Sequence, residues 1–205
     1  MADPPDAYPR RAAQADIPEL ARVLSRAFLD DPVARWSCLA DSLRPAALER
    51  VFATRLRQLI SHREVWTSDR LASVAVWAPP ERWRTTARDD IALAWSLARD
   101  PRLIARIPLV MRGLLKIEGT HPAEPLHWYL AILGTDPTHQ GEGLASEMMR
   151  PVLTECDRDG VGAYLESSNE RNLAFYARYG FRTVQELRLP RGPIVWLMWR
   201  DPRLR

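Results

Sequence analysis

The sequence predicts a mixed α/β fold: a twisted sheet of about seven strands, flanking helices, and a helical insertion between the third and fourth strands. Three observations carry this. Short β-type runs alternate with segments of helical period. Two of those runs are separated only by Ser68-Asp69-Arg70, as in a hairpin. The last two runs follow one another with no helix between them, which makes an antiparallel tail.

The elements follow in order. Residues 8–11 read as a short first strand behind a disordered tail, 1–7. Asp16-Ile17-Pro18-Glu19 reads as a helix start, with an N-cap, a first-turn proline and an acid three residues on. Ile17, Leu20, Ala21, Leu24, Ala27 and Phe28 continue it at helical spacing, and Asp30-Asp31-Pro32 is expected to stop it. A second helix is predicted over 46–60, and strands over 64–67 and 71–77. The insertion, 83–118, reads as helices over 86–99 and 103–115 parted by Asp100-Pro101. A strand follows at 127–134. The helix predicted over 143–157 holds Pro151 inside it, which should kink it at a cost of about 3 kcal/mol. A strand at 162–167, a short helix at 172–179 closed by Gly180, and strands at 181–187 and 194–199 complete the chain.

Composition narrows the function. The 205 residues suffice for one domain with a buried core, expected over 8–205. Basic residues number 29 against 26 acidic ones, and the charges are interspersed, so neither a disordered acidic chain nor a membrane protein is expected. Lys116 is the only lysine; the arginines are scattered among acids rather than gathered on one face, so nucleic-acid binding is not expected. MADPPDAYPRR lacks the apolar core of a signal peptide, and Cys38 and Cys156 cannot build a disulfide framework; a reducing cytoplasm is the expectation. No Cys/His cluster has zinc spacing, so no metal is expected.

The chemistry is concentrated in LAILGTDPTHQGEGLA, residues 130–145. A buried strand runs through a proline turn into glycines that open a helix. Glycines let main chain approach an anion, and the unpaired N–H groups and dipole of the first helical turn attract it. No Lys-Ser/Thr follows and GxGxxG is absent, so this is neither a Walker loop nor a dinucleotide fingerprint. About twenty residues on come YLESS and NLAFYARYGF.

Here the chain resembles the GNAT acetyltransferase superfamily. Gln140-x-x-Gly143-x-Ala145 fits that family's loop for the acetyl-CoA pyrophosphate, and Asn172-x-x-x-Tyr176 followed by Gly180-Phe181 fits its second signature, in the right order and at the right separation. WYLAILGTDPTHQGEGLA, YLESSNERNLAFYARYGF and RGPIVWLMWR resemble more narrowly the puromycin N-acetyltransferase branch, over residues 126–199. The resemblance implies a GNAT fold and acetyl-CoA as co-substrate. Leu133, Gly134 and Thr135 would offer main-chain groups to the pantetheine arm, like an added strand. Gln140, Gly141, Glu142, Gly143, Leu144, Ala145 and Ser146 would hold the pyrophosphate through main-chain N–H groups, with the Glu142 side chain turned to solvent. Tyr176 would be the acid for the departing thiolate, and Asn172 would bond to the pantetheine or simply cap the short helix.

Glu166 is the candidate base, since an ammonium must lose a proton before it attacks; the alternative is a salt bridge to an arginine such as Arg171. His127 and His139 are weaker candidates. Asp31, Trp36, Trp83 and Trp128, with Asp30 and Trp95, are candidates for an acceptor pocket, because aromatics favour flat apolar amines. The expected partner is a small-molecule amine, such as an antibiotic or toxin detoxified by acetylation, in a monomer or homodimer without nucleic acid or membrane. A protein or peptide acetyltransferase with an open acidic groove, and a non-catalytic CoA-binding module, are the alternatives.

Overall fold

The computed structural model describes residues 8–38, 40–62, 64–84 and 86–203; the predicted tail, 1–7, lies outside the described residues. The helices are α1 (Ile17–Ala27), α2 (Pro32–Ser37), α3 (Arg44–Leu59), α4 (Ala87–Ala98), α5 (Pro101–Ile104), α6 (Ile107–Glu118), α7 (Leu144–Asp159) and α8 (Leu173–Arg178). The strands are β1 (Arg10–Arg11), β2 (Val65–Thr67), β3 (Ser73–Ala78), β4 (His127–Thr135), β5 (Gly162–Ser167), β6 (Arg182–Arg188) and β7 (Ile194–Arg200). They form one seven-stranded sheet, ordered β1-β2-β3-β4-β5-β7-β6. The β4–β5 pair is parallel and its neighbours are antiparallel.

Two proline effects correct the predicted elements. Pro32 does not merely stop a helix; it occupies the first turn of α2, and Asp31 caps that helix by accepting from the N–H groups of Val33 and Ala34. The helix predicted over 103–115 is two helices. Pro108 has no N–H for the carbonyl of Ile104 and its ring crowds that group, so α5 ends at Ile104 and α6 begins at Ile107 with proline in its first turn. By contrast, α7 runs through Pro151.

Side chains separate onto the two faces of the sheet. On one, α7 and α8 cover Trp77, Trp128, Leu130 and Leu165 with Met148, Val152, Cys156 and Tyr176, joined by Phe181 from the turn after α8. On the other, α1 and α3 cover Val74 and Val76 with Leu20, Leu24, Phe52 and Leu56. Each fully buried Leu or Phe stabilises the fold by about 1.5–3 kcal/mol. Gly134 permits the close approach of α1 to β4, because a Cβ there would stand 2.6 Å from Leu24 Cδ2. The insertion packs through Val110, Leu97 and Leu103 against Trp36, Leu189 and Val195.

Two irregularities of β4 position the site. Its ladder with β5 runs only from His127 to Leu130, opposite Gly162 to Leu165. Beyond this, β4 stays with β3 as far as Thr135, while Glu166 and Ser167 of β5 stay with β7, so the sheet opens into a V. At the same place the β3 register jumps from Val76–Ile132 to Trp77–Leu130, leaving Ala131 as an extra residue in β4. Among the described residues, no helix is long and apolar enough to cross a membrane.

Candidate active site

The V is lined by main chain on its β4 side. Asp136 N–H donates to Ala72 O at 2.8 Å, and antiparallel bonding alternates, so Gly134 also spends its groups on β3. The main-chain groups of Leu133 and Thr135 therefore face the opening; Gln140 Nε2 reaches Thr135 O from that side. Of the three residues expected to meet a pantetheine arm, Gly134 is corrected to a packing role.

The glycine loop lies at the wide end. Gly141 has φ +90° and Gly143 φ +82°, the left-handed region that L side chains rarely adopt, and nothing lies within 4 Å of where a Cβ would stand at either. Their requirement is thus one of backbone shape and leaves open space before α7. Gly143 is the N-cap of α7, whose first N–H groups have no helical acceptor. Ser146 N–H is already bonded to Gly143 O, which leaves Gln140 to Ala145 as the usable main-chain donors. Ser146 contributes instead through its Oγ, which accepts from the Tyr179 hydroxyl and ties α8 to the loop. The half-exposed Glu142 side chain meets His139 at 3.2 Å. This cradle suits an anion with a linear arm, as in the pyrophosphate and pantetheine of CoA.

Two groups flank the V from opposite faces. Tyr176 of α8 is buried in the α7 face, between Phe175 and Phe181. Burial, and the charge of Asp31, push its phenol well above the usual tyrosine range, so it stays protonated. Asp31 sits at the α1–α2 turn, where it also accepts from Ser168 Oγ. Burial raises its carboxyl above the usual range, against the opposing effect of these hydrogen bonds. Asn172 is exposed and makes no capping bond; Asn169 caps that turn instead, accepting from Arg171 N–H.

Glu166 is the first β5 residue past the last β4–β5 pair, and its nearly buried carboxylate turns to the other face. The salt bridge to Arg171 is not formed. Glu166 Oε1 meets His121 Nδ1 at 3.3 Å, His121 Nε2 meets His127 Nε2 at 3.0 Å, and His127 Nδ1 meets Pro125 O at 2.8 Å. Trp83 stacks on the His121 ring at 3.7 Å, and Tyr129 and Tyr164 contact it edge-on. Burial pushes the His127 imidazole below its usual range, partly offset by the Pro125 carbonyl.

This cluster closes one end of an apolar cavity of about 310 Å³. Phe28, Phe52, Leu93, Leu97, Val110 and Leu114 wall it, and Tyr129, Ala131, Ile132 and Glu166 floor it. The insertion thus supplies the walls that α4 and α6 carry. Of the tryptophans, Trp83 lines the cavity. Trp128 does not: it packs beneath α7, since strand alternation sends His127 and Tyr129 to the cavity face and Trp128 to the opposite one. Trp36 is corrected to a structural tie, its Nε1 donating to Pro190 O and its ring held against Gly113 and Gly192. Trp95 is exposed on α4. Asp31 does not line the cavity; it lies beside Ser168 and near Tyr176. His121 is the site residue that sequence reasoning missed.

A sheet parted beside a glycine-opened helix, with a carboxylate and a buried phenol on either side, has the parts that group transfer from a long anionic donor calls for. The chain belongs to the Acetyltransferase (GNAT) family, whose model matches residues 56–181, and members of that family use acetyl-CoA. An uncharacterized N-acetyltransferase of Schizosaccharomyces pombe is 25% identical over 195 residues, 89% of this chain and 77% of that protein. The mycothiol acetyltransferase of Brachybacterium faecium is 32% identical over 124 residues, 55% of this chain and 37% of that protein. In fold, the chain is similar to the histone acetyltransferase HPA2 and related acetyltransferase of Corynebacterium glutamicum, with TM-score 0.67, 23% identity and 97% of each chain covered.

Proposed function

We propose that this acetyltransferase acetylates a small-molecule amine with an apolar body. The observation that carries the reading is the mostly apolar cavity, partly open to solvent, that ends at Glu166 beside the V. Bound acetyl-CoA supplies the activated acetyl group. Leu133 and Thr135 main chain would align its arm, and the N–H groups from Gln140 to Ala145 would hold its phosphates. Hydrocarbon walls desolvate the amine, and Glu166 takes its proton, either directly or through water. Tyr176 donates a hydrogen bond toward the departing sulfur. Its raised proton affinity keeps that donor in place across the working pH range. Transfer is direct: burial pushes the Cys156 thiol up to about 12 and also raises the Cys38 thiol, so neither is an activated nucleophile.

The sequence resemblance to the puromycin N-acetyltransferase branch supports an antibiotic or toxic amine as acceptor, met in the cytoplasm. A peptide acceptor would call for an acidic groove, whereas the lining of this cavity is mostly apolar. The test is thiol release from acetyl-CoA with puromycin, other aminonucleosides, arylamines, aminoglycosides, polyamines and lysine peptides. Turnover confined to amines with an apolar body is expected; turnover of lysine peptides alone would overturn the reading. Glu166→Gln should lower kcat by about 10²–10⁴-fold, and an unchanged pH–rate profile would remove Glu166 from the role of base.

A further inference from the structure

His121, His127 and the Pro125 carbonyl form a chain with a fixed polarity. A carbonyl oxygen only accepts, so His127 Nδ1 carries the hydrogen, donating to Pro125 O at 2.8 Å. As His127 is kept neutral by burial, its Nε2 is then a bare lone pair. His121 Nε2, at 3.0 Å, must supply the hydrogen between the two rings. That leaves His121 Nδ1 as a lone pair aimed at Glu166 Oε1 unless a further proton lies between them. The His121 ring has no freedom to turn away, with Trp83 stacked on it and Tyr129 and Tyr164 against its edges.

We propose that His127 and Pro125 lock His121 so that Glu166 and His121 form one proton-holding unit, and that this unit, rather than Glu166 alone, is the base. The proposal rests on the reading of Glu166 as the group that meets the amine. With both Glu166 and His121 deprotonated, two lone pairs face each other across 3.3 Å. A proton placed between them replaces that repulsion with a charge-assisted hydrogen bond. The locked pair therefore offers an amine proton two acceptors in line, the Glu166 carboxylate and the His121 Nδ1 lone pair. In the step, an N–H bond of the amine breaks, an O–H bond forms at Glu166, and that proton passes to His121 Nδ1 to give an imidazolium against the carboxylate. One proton moves and no electrons are exchanged. His127 is a positioning residue: it touches no substrate and acts through the His121 tautomer.

Other charged and titratable groups surround the unit. Tyr129 of β4 and Tyr164 of β5 lie against it, and burial, reinforced by Glu166, raises both phenols, so they stay neutral. Glu118 of α6, Arg55 of α3 and Asp90 of α4 line the same cavity, and Glu124 acts on His127 from the preceding loop. None of these side chains lies between Glu166 and His121.

The experiment is long-range ¹⁵N NMR of the histidine rings in the full chain, with no acceptor or acetyl-CoA present, across pH 5–9 (a range set about the ordinary histidine value). Assignments come from single histidine variants. The wild type should show His127 as a neutral Nδ1–H ring and His121 with its Nε2 protonated throughout. His127→Leu removes the lock, so neutral His121 should turn to the Nδ1–H form and donate to Glu166. His127→Gln, whose amide oxygen can accept from His121 Nε2–H, should restore the wild-type form. With 2-phenylethylamine as probe acceptor, kcat should fall about tenfold in His127→Leu and return in His127→Gln. A wild-type His121 in the neutral Nδ1–H form, or a doubly protonated His127 at neutral pH, would overturn the proposal. The wild-type spectrum decides this even if His127→Leu does not fold. Full activity in Glu166→Gln would instead remove the underlying reading of the base while leaving the tautomer result standing.

Discussion

Removing the Tyr164 hydroxyl should stabilise the protein. Tyr164 is 1% exposed on β5, and its hydroxyl is sealed from solvent, with the Glu166 carboxylate nearby but no hydrogen bond of good geometry to it. A buried hydroxyl left unpaired costs about 1–3 kcal/mol in lost hydration. Tyr164→Phe removes that cost and keeps the ring against Tyr129, His121 and Leu187. The vacancy left by one oxygen returns part of the gain through lost packing contacts, so a net gain of about 1 kcal/mol is expected. For a chain of this size that is a rise of about 2–4 °C in Tm, read by scanning calorimetry and by the urea midpoint at unchanged slope. Catalysis should change by less than about threefold, roughly 0.6 kcal/mol in the barrier. A loss of 1 kcal/mol or more would refute the reasoning. It would mean that the hydroxyl is satisfied after all, the nearest acceptor of consequence being Glu166, and kcat should then fall with the stability.

Three further outcomes follow from the same geometry. Tyr176→Phe should lower kcat by about 10²-fold with little change in KM for acetyl-CoA, by steady-state thiol release, because the hydroxyl is needed only as sulfur departs. Gly134→Ala places a Cβ 2.6 Å from Leu24 Cδ2 and 3.1 Å from Phe28 Cε2, and should cost about 1–3 kcal/mol of stability by urea unfolding. Asp136 bonds Thr138 and Arg26; although burial opposes ionisation, these bonds hold its carboxyl below the usual range. Its contribution is present above the unfolded value of about 3.9 and is lost as pH falls through the lower folded value. Asp136→Asn should therefore lose stability at neutral pH and show a shallower acid transition by circular dichroism.

Much of this was legible along the chain. Runs of β-type residues bounded by turn residues mark every strand to within a few residues, and the glycine spacing marks the loop that opens α7. What failed did so for local and long-range reasons. Pro32 reads as a stop or as a first-turn residue, and only the Asp31 cap decides between them. The alternation of His127, Trp128 and Tyr129 already implied that Trp128 could not share the cavity with its neighbours, so the aromatic argument for it was weaker than the strand argument against it. His121 had no local signal. It lies in the loop after α6, and its partner Glu166 is 45 residues away, so the pair exists only once the insertion has folded back over the sheet.

The position of Glu166 shows how little irregularity the proposed chemistry needs. The last β4–β5 pair is Leu130 with Leu165, and Leu165 faces the α7 core. The next residue must face the other way, and it is the first with no β4 partner, so its carboxylate stands at the apex of the V and at the cavity wall together. A carboxylate one place earlier would be buried beneath α7. On the opposite strand, the extra residue at Ala131 brings both Ala131 and Ile132 to the cavity floor, where strict alternation would send one of them to the α7 face. The opening on one side and the apolar floor on the other thus arise at the same step of the ladder, which is why a thioester and an amine entering from different directions would meet beside one carboxylate.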